Sequence, residues 1–178
     1  MATTAPSGVL VIGYGNPGRL DDGLGPLLAA ALEEAGGWTD VTIDADYQLT
    51  VEDAAAIAAH DVVIFMDADT SGPAPFWFEE VEPCASMSFS THSISPQAVL
   101  EMAHSLLGAQ TRGFLLGVRG YEFNEFGERL SPNAVRNYRE AFRFMEELLR
   151  DRRFDEYAKR YAKHSQPLGD DGALRRQT

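Results

Sequence analysis

Asp22, Asp67 and His92 are the residues of this chain best placed to do chemistry. Each falls just past the carboxyl end of an expected strand, or at the start of the helix that follows one. Two carboxylates and an imidazole in such places could close on one metal ion or on one polarised bond. Each also has a plain structural use. The pair Asp21-Asp22 opens a helical stretch, so one of the two can cap it and leave the other facing a crevice. A carboxylate left uncapped beside a second one is repelled and partly protonated unless a cation is present. Asp67 closes an apolar strand and could be a turn former, with Asp69 an equal candidate. A charge at the end of a buried strand still needs a partner, because unpaired burial is unfavourable. His92 sits in a polar loop, where a lone histidine is ordinarily a surface residue. His60 and His104 fall in helices and His164 in a C-terminal extension, none with a carboxylate that shares an obvious destination.

The elements that must position these side chains alternate. VLVIGYG (9–15) reads as a short apolar strand ending in glycine, and residues 20–37 as a helix with Asp21 or Asp22 at its N-cap and Gly36-Gly37 as its stop. A second strand is expected at 41–47 and a short alanine-rich helix at 52–60. DVVIFMDAD (61–69) is apolar on both faces, as a central strand of a parallel sheet must be. Further strands are expected at 75–83 and 112–123. Helices are expected at 95–108 and 131–151, each opened by Ser-Pro. The spacing predicts a single three-layer α/β/α domain with a mostly parallel, twisted sheet of about five strands. In such sheets ligands sit beyond the carboxyl ends of the strands, where strand order reverses. The core domain is expected over residues 8–150. Residues 151–178 are expected to form a helical extension, with the helix continuing through 154–164, and a disordered tail.

Composition narrows the class. The 178 residues suit one domain, and a formal net charge of −12 disfavours a nucleic-acid partner. Basic residues gather after Arg150, but Asp151, Asp155 and Glu156 interleave with them and read as a solvated helix face. No apolar run is long enough to span a membrane, and the first residues lack the pattern of a signal peptide. A cytoplasmic monomer is expected. The single cysteine, Cys84, excludes an internal disulfide and reads as a buried or incidental thiol rather than a nucleophile.

GYGNPG (13–18) has the spacing Gly-x-Gly-x-x-Gly of a dinucleotide fingerprint. Pro17 removes a backbone donor, however, and the acids Glu33 and Glu34 fall inside the helix instead of following a second strand. A tight turn that lets the backbone approach another loop is the better reading.

Three segments taken together resemble a known family. GYGN-x(4)-DDGLG (13–25), VVIFMDAD (62–69) and STHSISP (90–96) look like the motifs of the [NiFe]-hydrogenase maturation endopeptidases. The likeness covers roughly residues 8–150. Tyr47-Gln48-Leu49 with Glu52-Asp53, and GVRGYEF (117–123), look most like the branch serving NAD(P)-linked bidirectional or soluble hydrogenases. The resemblance implies an enzyme that removes a C-terminal extension from a hydrogenase large-subunit precursor once nickel is in place. It also implies that Asp22, Asp67 and His92 contact the metal. Nickel would arrive with the substrate, and another divalent ion could occupy the resting protein. Water would be the nucleophile. Where the family often has Asp-Gly-Gly after the second strand, this chain has Asp44-Ala45-Asp46. Two other readings compete. One is a nickel-sensing docking or metallochaperone module. The other is a hydrolase resembling the peptidyl-tRNA hydrolases, whose opening glycines look like GYGNPG but whose following Thr-Arg-His-Asn segment is replaced here by Arg19-Leu20-Asp21-Asp22-Gly23.

Overall fold

A computed structural model describes residues 8–85 and 94–164. Its strands are β1 (Val9–Tyr14), β2 (Val41–Asp46), β3 (Val62–Asp69), β4 (Phe76–Val81) and β5 (Arg112–Arg119). Its helices are α1 (Leu24–Ala35), α2 (Asp53–Ala58), α3 (Pro96–Leu107), α4 (Pro132–Asp151) and α5 (Phe154–Arg160). One sheet runs in the order β2-β1-β3-β5-β4, with only β4 antiparallel to its neighbour. The fold is therefore the expected mostly parallel α/β sheet of five strands.

Alternation along the strands makes the layers. Val9, Val11, Ile64 and Met66 face α1 and α4, whereas Leu10, Ile12, Val63 and Phe65 face α2 and α3. The central strand β3 is apolar on both sides because helices cover both sides. The two Ser-Pro helices start as expected. Ser95 Oγ accepts the Ala98 N–H at 3.2 Å and Ser131 Oγ accepts the Ala134 N–H at 3.3 Å.

Three differences from the expected boundaries exceed two residues. Residues Leu20–Gly23 form a single 3-10 turn and α1 begins at Leu24, so neither Asp21 nor Asp22 caps it; Gly23 takes that position. Strand β5 stops at Arg119, four residues early, where the Gly120 N–H turns to the Asp69 carbonyl at 2.9 Å. The last helix is also interrupted. Arg152 adopts a left-handed conformation (φ 56°), which ends α4 and redirects the chain into α5.

That redirection covers the sheet edge. The Phe78 N–H of β4 donates to the Tyr161 carbonyl at 2.8 Å, beyond the end of α5. Phe144, Tyr157 and Tyr161 form an edge-packed aromatic cluster with Phe76 and Phe78. An edge strand left bare would expose its unpaired backbone groups.

Candidate active site

The order β2-β1-β3 places the reversal of strand order between β1 and β3. After β1 the chain crosses through α1 to β2 on one side, and after β3 it runs to β4 and β5 on the other, so the two connections part and leave a crevice. Two glycines let the start of α1 settle on that crevice. A Cβ at Gly25 would lie 2.4 Å from the Met66 carbonyl oxygen and 2.5 Å from that of Tyr14. At Gly13 it would lie 2.2 Å from the Gly25 carbonyl oxygen. Without side chains at these points, the turn carrying Asp21 and Asp22 rests directly on the ends of β1 and β3.

The two adjacent aspartates then divide their work. Asp21 is fully buried and accepts four hydrogen bonds. The Tyr121 N–H reaches Oδ2 at 2.7 Å, the Glu122 N–H reaches it at 2.9 Å, and the Ser131 hydroxyl at 2.7 Å. The Ser131 N–H donates to Oδ1 at 2.7 Å. Burial pushes this carboxyl up, but the bonds to Glu122, Ser131 and Tyr121 outweigh it and hold Asp21 below the usual carboxylate range. Asp21 is thus a brace between the turn and the N-terminus of α4. Among the described residues the Asp22 carboxylate accepts one hydrogen bond, from the Asn16 N–H to Oδ2 at 3.0 Å. Its charge is felt by Asp67.

Asp67 lies one residue past the last β1–β3 pair, Gly13 with Met66, and pairs with Gly117 of β5. Burial pushes its carboxyl up to about 7. The Tyr14 hydroxyl and the Ala68 N–H, the latter at 2.8 Å, pull it down, whereas the charges of Asp22 and Asp69 add to the rise. The Tyr14 hydroxyl is in turn held firmly protonated, by burial first and by Asp67 second. Tyr14 follows Gly13, which pairs with Met66, so it stands beside Asp67 across the two strands.

Asp69, equal to Asp67 in the sequence, is engaged elsewhere. Its Oδ2 accepts the Trp77 indole N–H at 2.6 Å and meets Lys163 Nζ at 3.0 Å, while Oδ1 accepts the Ser71 N–H at 2.9 Å. Burial opposes its ionisation, but the bonds from Ser71, Lys163, Trp77 and Gly72 keep it well below the usual range.

His92 lies outside the described residues. Among the described residues no three His, Cys, Asp or Glu side chains form a metal-binding group. What the structure brings together is therefore the pair Asp22 and Asp67, with Tyr14 and Asn16 as supports. Neither support was singled out in the sequence. Tyr14 could have been, because extending the β1–β3 register by one residue sets it opposite Asp67. Cys84 is exposed rather than buried. Among the described residues no helix is long and apolar enough to cross a membrane.

These features define a class: an open α/β sheet with a pair of carboxylates at its topological switch point. Within that class, the chain has the fold of the hydrogenase maturation proteases, which are hydrolases. It is similar to the [NiFe] hydrogenase maturation protease HycI from Thermococcus kodakarensis KOD1 at 25% identity, with 81% of this chain and 93% of that one covered and a TM-score of 0.64. It is also similar in fold to the hydrogenase maturating endopeptidase HybD from E. coli (24% identity, 82% and 94% covered, TM-score 0.63). The hydrogenase 2 maturation peptidase from Thaumarchaeota archaeon SCGC_AB-539-E09 shares the fold too (23% identity, 80% and 97% covered, TM-score 0.59). No protein-family model matches the chain, and no curated protein matches it. The family likeness read from the sequence is thus borne out by structure.

Proposed function

We propose that this chain is the endopeptidase that trims the C-terminal extension from a [NiFe]-hydrogenase large-subunit precursor after nickel insertion, acting in the cytoplasm as a monomer. The observation that carries this reading is the meeting of Asp22 and Asp67 at the switch point. Two half-buried carboxylates there, one of them lightly tethered, form a donor pair whose mutual repulsion a divalent ion would relieve. His92 is the third ligand in this reading.

Nickel is part of the substrate in this reading, where it would supply a recognition handle, polarisation of the scissile carbonyl, or both. The residues of the chain do the rest. Before substrate arrives, Asp67 is protonated in about half of the molecules at neutral pH, because burial has pushed its carboxyl up to about 7. That proton spares the crevice a second negative charge beside Asp22, and it leaves when a cation approaches. Tyr14 orients the Asp67 carboxyl, and the Asn16 N–H fixes Asp22 through Oδ2. Cys84 is exposed, and among the described residues no His, Asp or Glu cluster forms around it, so water is the attacking group in this reading.

The test is a mass spectrum of a nickel-loaded precursor before and after incubation with the protein. Wild type should shorten it. Asp22→Asn, Asp67→Asn and His92→Ala should not, while keeping the fold. Binding without any change in precursor mass would make this a nickel-sensing docking module instead.

A further inference from the structure

The loop from Gly120 to Leu130, between β5 and α4, is held at both ends of its span by the turn that carries Asp22. The Leu20 N–H donates to the Gly127 carbonyl at 2.9 Å, the Gly127 N–H to the Gly18 carbonyl at 2.8 Å, and the Asp21 N–H to the Glu122 carbonyl at 3.0 Å. The Asp21 carboxylate adds its bonds from Tyr121 and Glu122. A loop pinned this way has little freedom to fold its own side chains inward. Yet Phe126, next to the doubly bonded Gly127, is 89% exposed. A phenylalanine presented on a fixed backbone loses little entropy on burial, which is the property of an interface anchor.

Its surroundings agree. Tyr47, Val51 and Tyr121 are also large exposed apolar side chains, and all three lie on loops that leave the carboxyl ends of β2 and β5, the end that holds Asp22 and Asp67. Beside Phe126 opens a cavity of about 370 Å³, with Leu20 and Phe123 in its lining and Glu122, Glu125 and Arg129 around it. Arg129 reaches Glu122 at 3.4 Å between two exposed side chains, so that pair is weak, and Glu125 and Glu128 add further negative charge.

We propose that this loop is the docking surface for the protein substrate and that it selects a patch both apolar and basic. Phe126 inserts into an apolar depression of the precursor, and a lysine or arginine of the same patch enters the cavity, its stem on Leu20 and Phe123 and its charge at Glu122 and Glu125. Because Asp21 ties the loop to the Asp22 turn, docking there brings the precursor to the carboxylate pair in a set orientation. This rests on the function proposed above.

The experiment measures both binding and processing of the nickel-loaded precursor by wild type, Phe126→Asp, Glu125→Lys and Leu106→Asp. Leu106 is equally apolar and 75% exposed, but it lies near the end of α3, toward the opposite end of the sheet. Phe126→Asp should raise KM and Kd about tenfold or more, with kcat within about twofold. Glu125→Lys should weaken binding about threefold to tenfold, and that loss should shrink at high salt. Leu106→Asp should match wild type. Thermal melts establish that each variant is folded. Unchanged KM and Kd in both loop variants, or equal losses in Leu106→Asp, overturn the docking surface. Wild type that binds but does not cleave overturns the proposed function alone, since binding still reads the loop. Wild type that does not bind overturns both.

Discussion

Asp21 and Asp22 are neighbours in sequence with opposite duties, so removing them one at a time should separate stability from activity. Asp21→Ala deletes the acceptor for the Ser131 N–H and hydroxyl, both buried, and for the Tyr121 and Glu122 N–H groups, both partly buried. A buried donor left without its acceptor costs about 1–3 kcal/mol. The two partly buried groups can recover some hydration, and the four losses share one carboxylate, so they do not simply add. The expected loss is about 3–5 kcal/mol, or roughly 10–15 °C in Tm for a chain of this size. Asp22→Ala removes one partly buried bond from Asn16 and also a like charge near Asp67, so the two effects oppose. Its stability should stay within about 1 kcal/mol of wild type. Precursor processing should nevertheless vanish in Asp22→Ala.

Urea unfolding followed by circular dichroism measures the first effect and precursor mass the second. The pH dependence gives an independent check. Asp21 sits below its ordinary range in the folded state, so the folded chain gives up this proton more readily than the unfolded one. Its contribution is present in full above about pH 4 and is lost as pH falls through the native value. The stability gap between wild type and Asp21→Asn should therefore narrow in acid. Equal destabilisation by Asp21→Ala and Asp22→Ala, or a gap that widens in acid, would refute the division of labour.

Three further outcomes follow from the same geometry. Asp67 is shifted the other way, to about 7, so in chelator its burial weakens the fold progressively as pH rises from its unfolded value toward 7 and no further above. Asp67→Asn should accordingly gain stability over wild type across that range, read by urea midpoints; a constant gap from pH 4 to 8 would contradict it. Cys84→Ala should process precursor at the wild-type rate, since the thiol is exposed and serves no step; inactivity would make it a nucleophile. A chain ending at Asp151 should lose several kcal/mol and aggregate, because Tyr157 is 3% exposed in the core and Phe78 would lose its edge partner; a soluble monomer with wild-type Tm would refute this.

The sequence made the layers readable because the apolar run of β3 and the two Ser-Pro starts are local signals. The carboxyl-end position of Asp22 and Asp67 followed from that order. Which aspartate braces and which stays available was not readable, because Ser131, the partner that claims Asp21, lies 110 residues away. The late start of α1 was hidden for a related reason. Its first turn rests through Gly25 on the Met66 and Tyr14 carbonyls, a contact between three elements. The extension after Arg150 misled differently. Its charges read as a solvated face, and Arg153 does pair with Asp151 and Glu156, but Tyr157 and Tyr161 on the other side close the sheet edge.

Asp67 and Asp69 show most clearly what a one-dimensional reading lacks. Two residues apart on one strand, they share a face, so neither periodicity nor residue type can rank them. The ranking comes from β4 and β5. Gly117 pairs with Asp67 on one side and with Trp77 on the other. A Cβ at Gly117 would lie 2.2 Å from the indole, so the missing side chain lets Trp77 lie across β5 and reach Asp69. Lys163, arriving beyond α5, completes the ion pair and stacks on the same indole at 4.7 Å. Asp69 is thereby saturated with donors and fixed as a structural anion. Asp67, with only Tyr14 and Ala68 to satisfy it among the described residues, keeps the capacity to bind something that those residues do not supply.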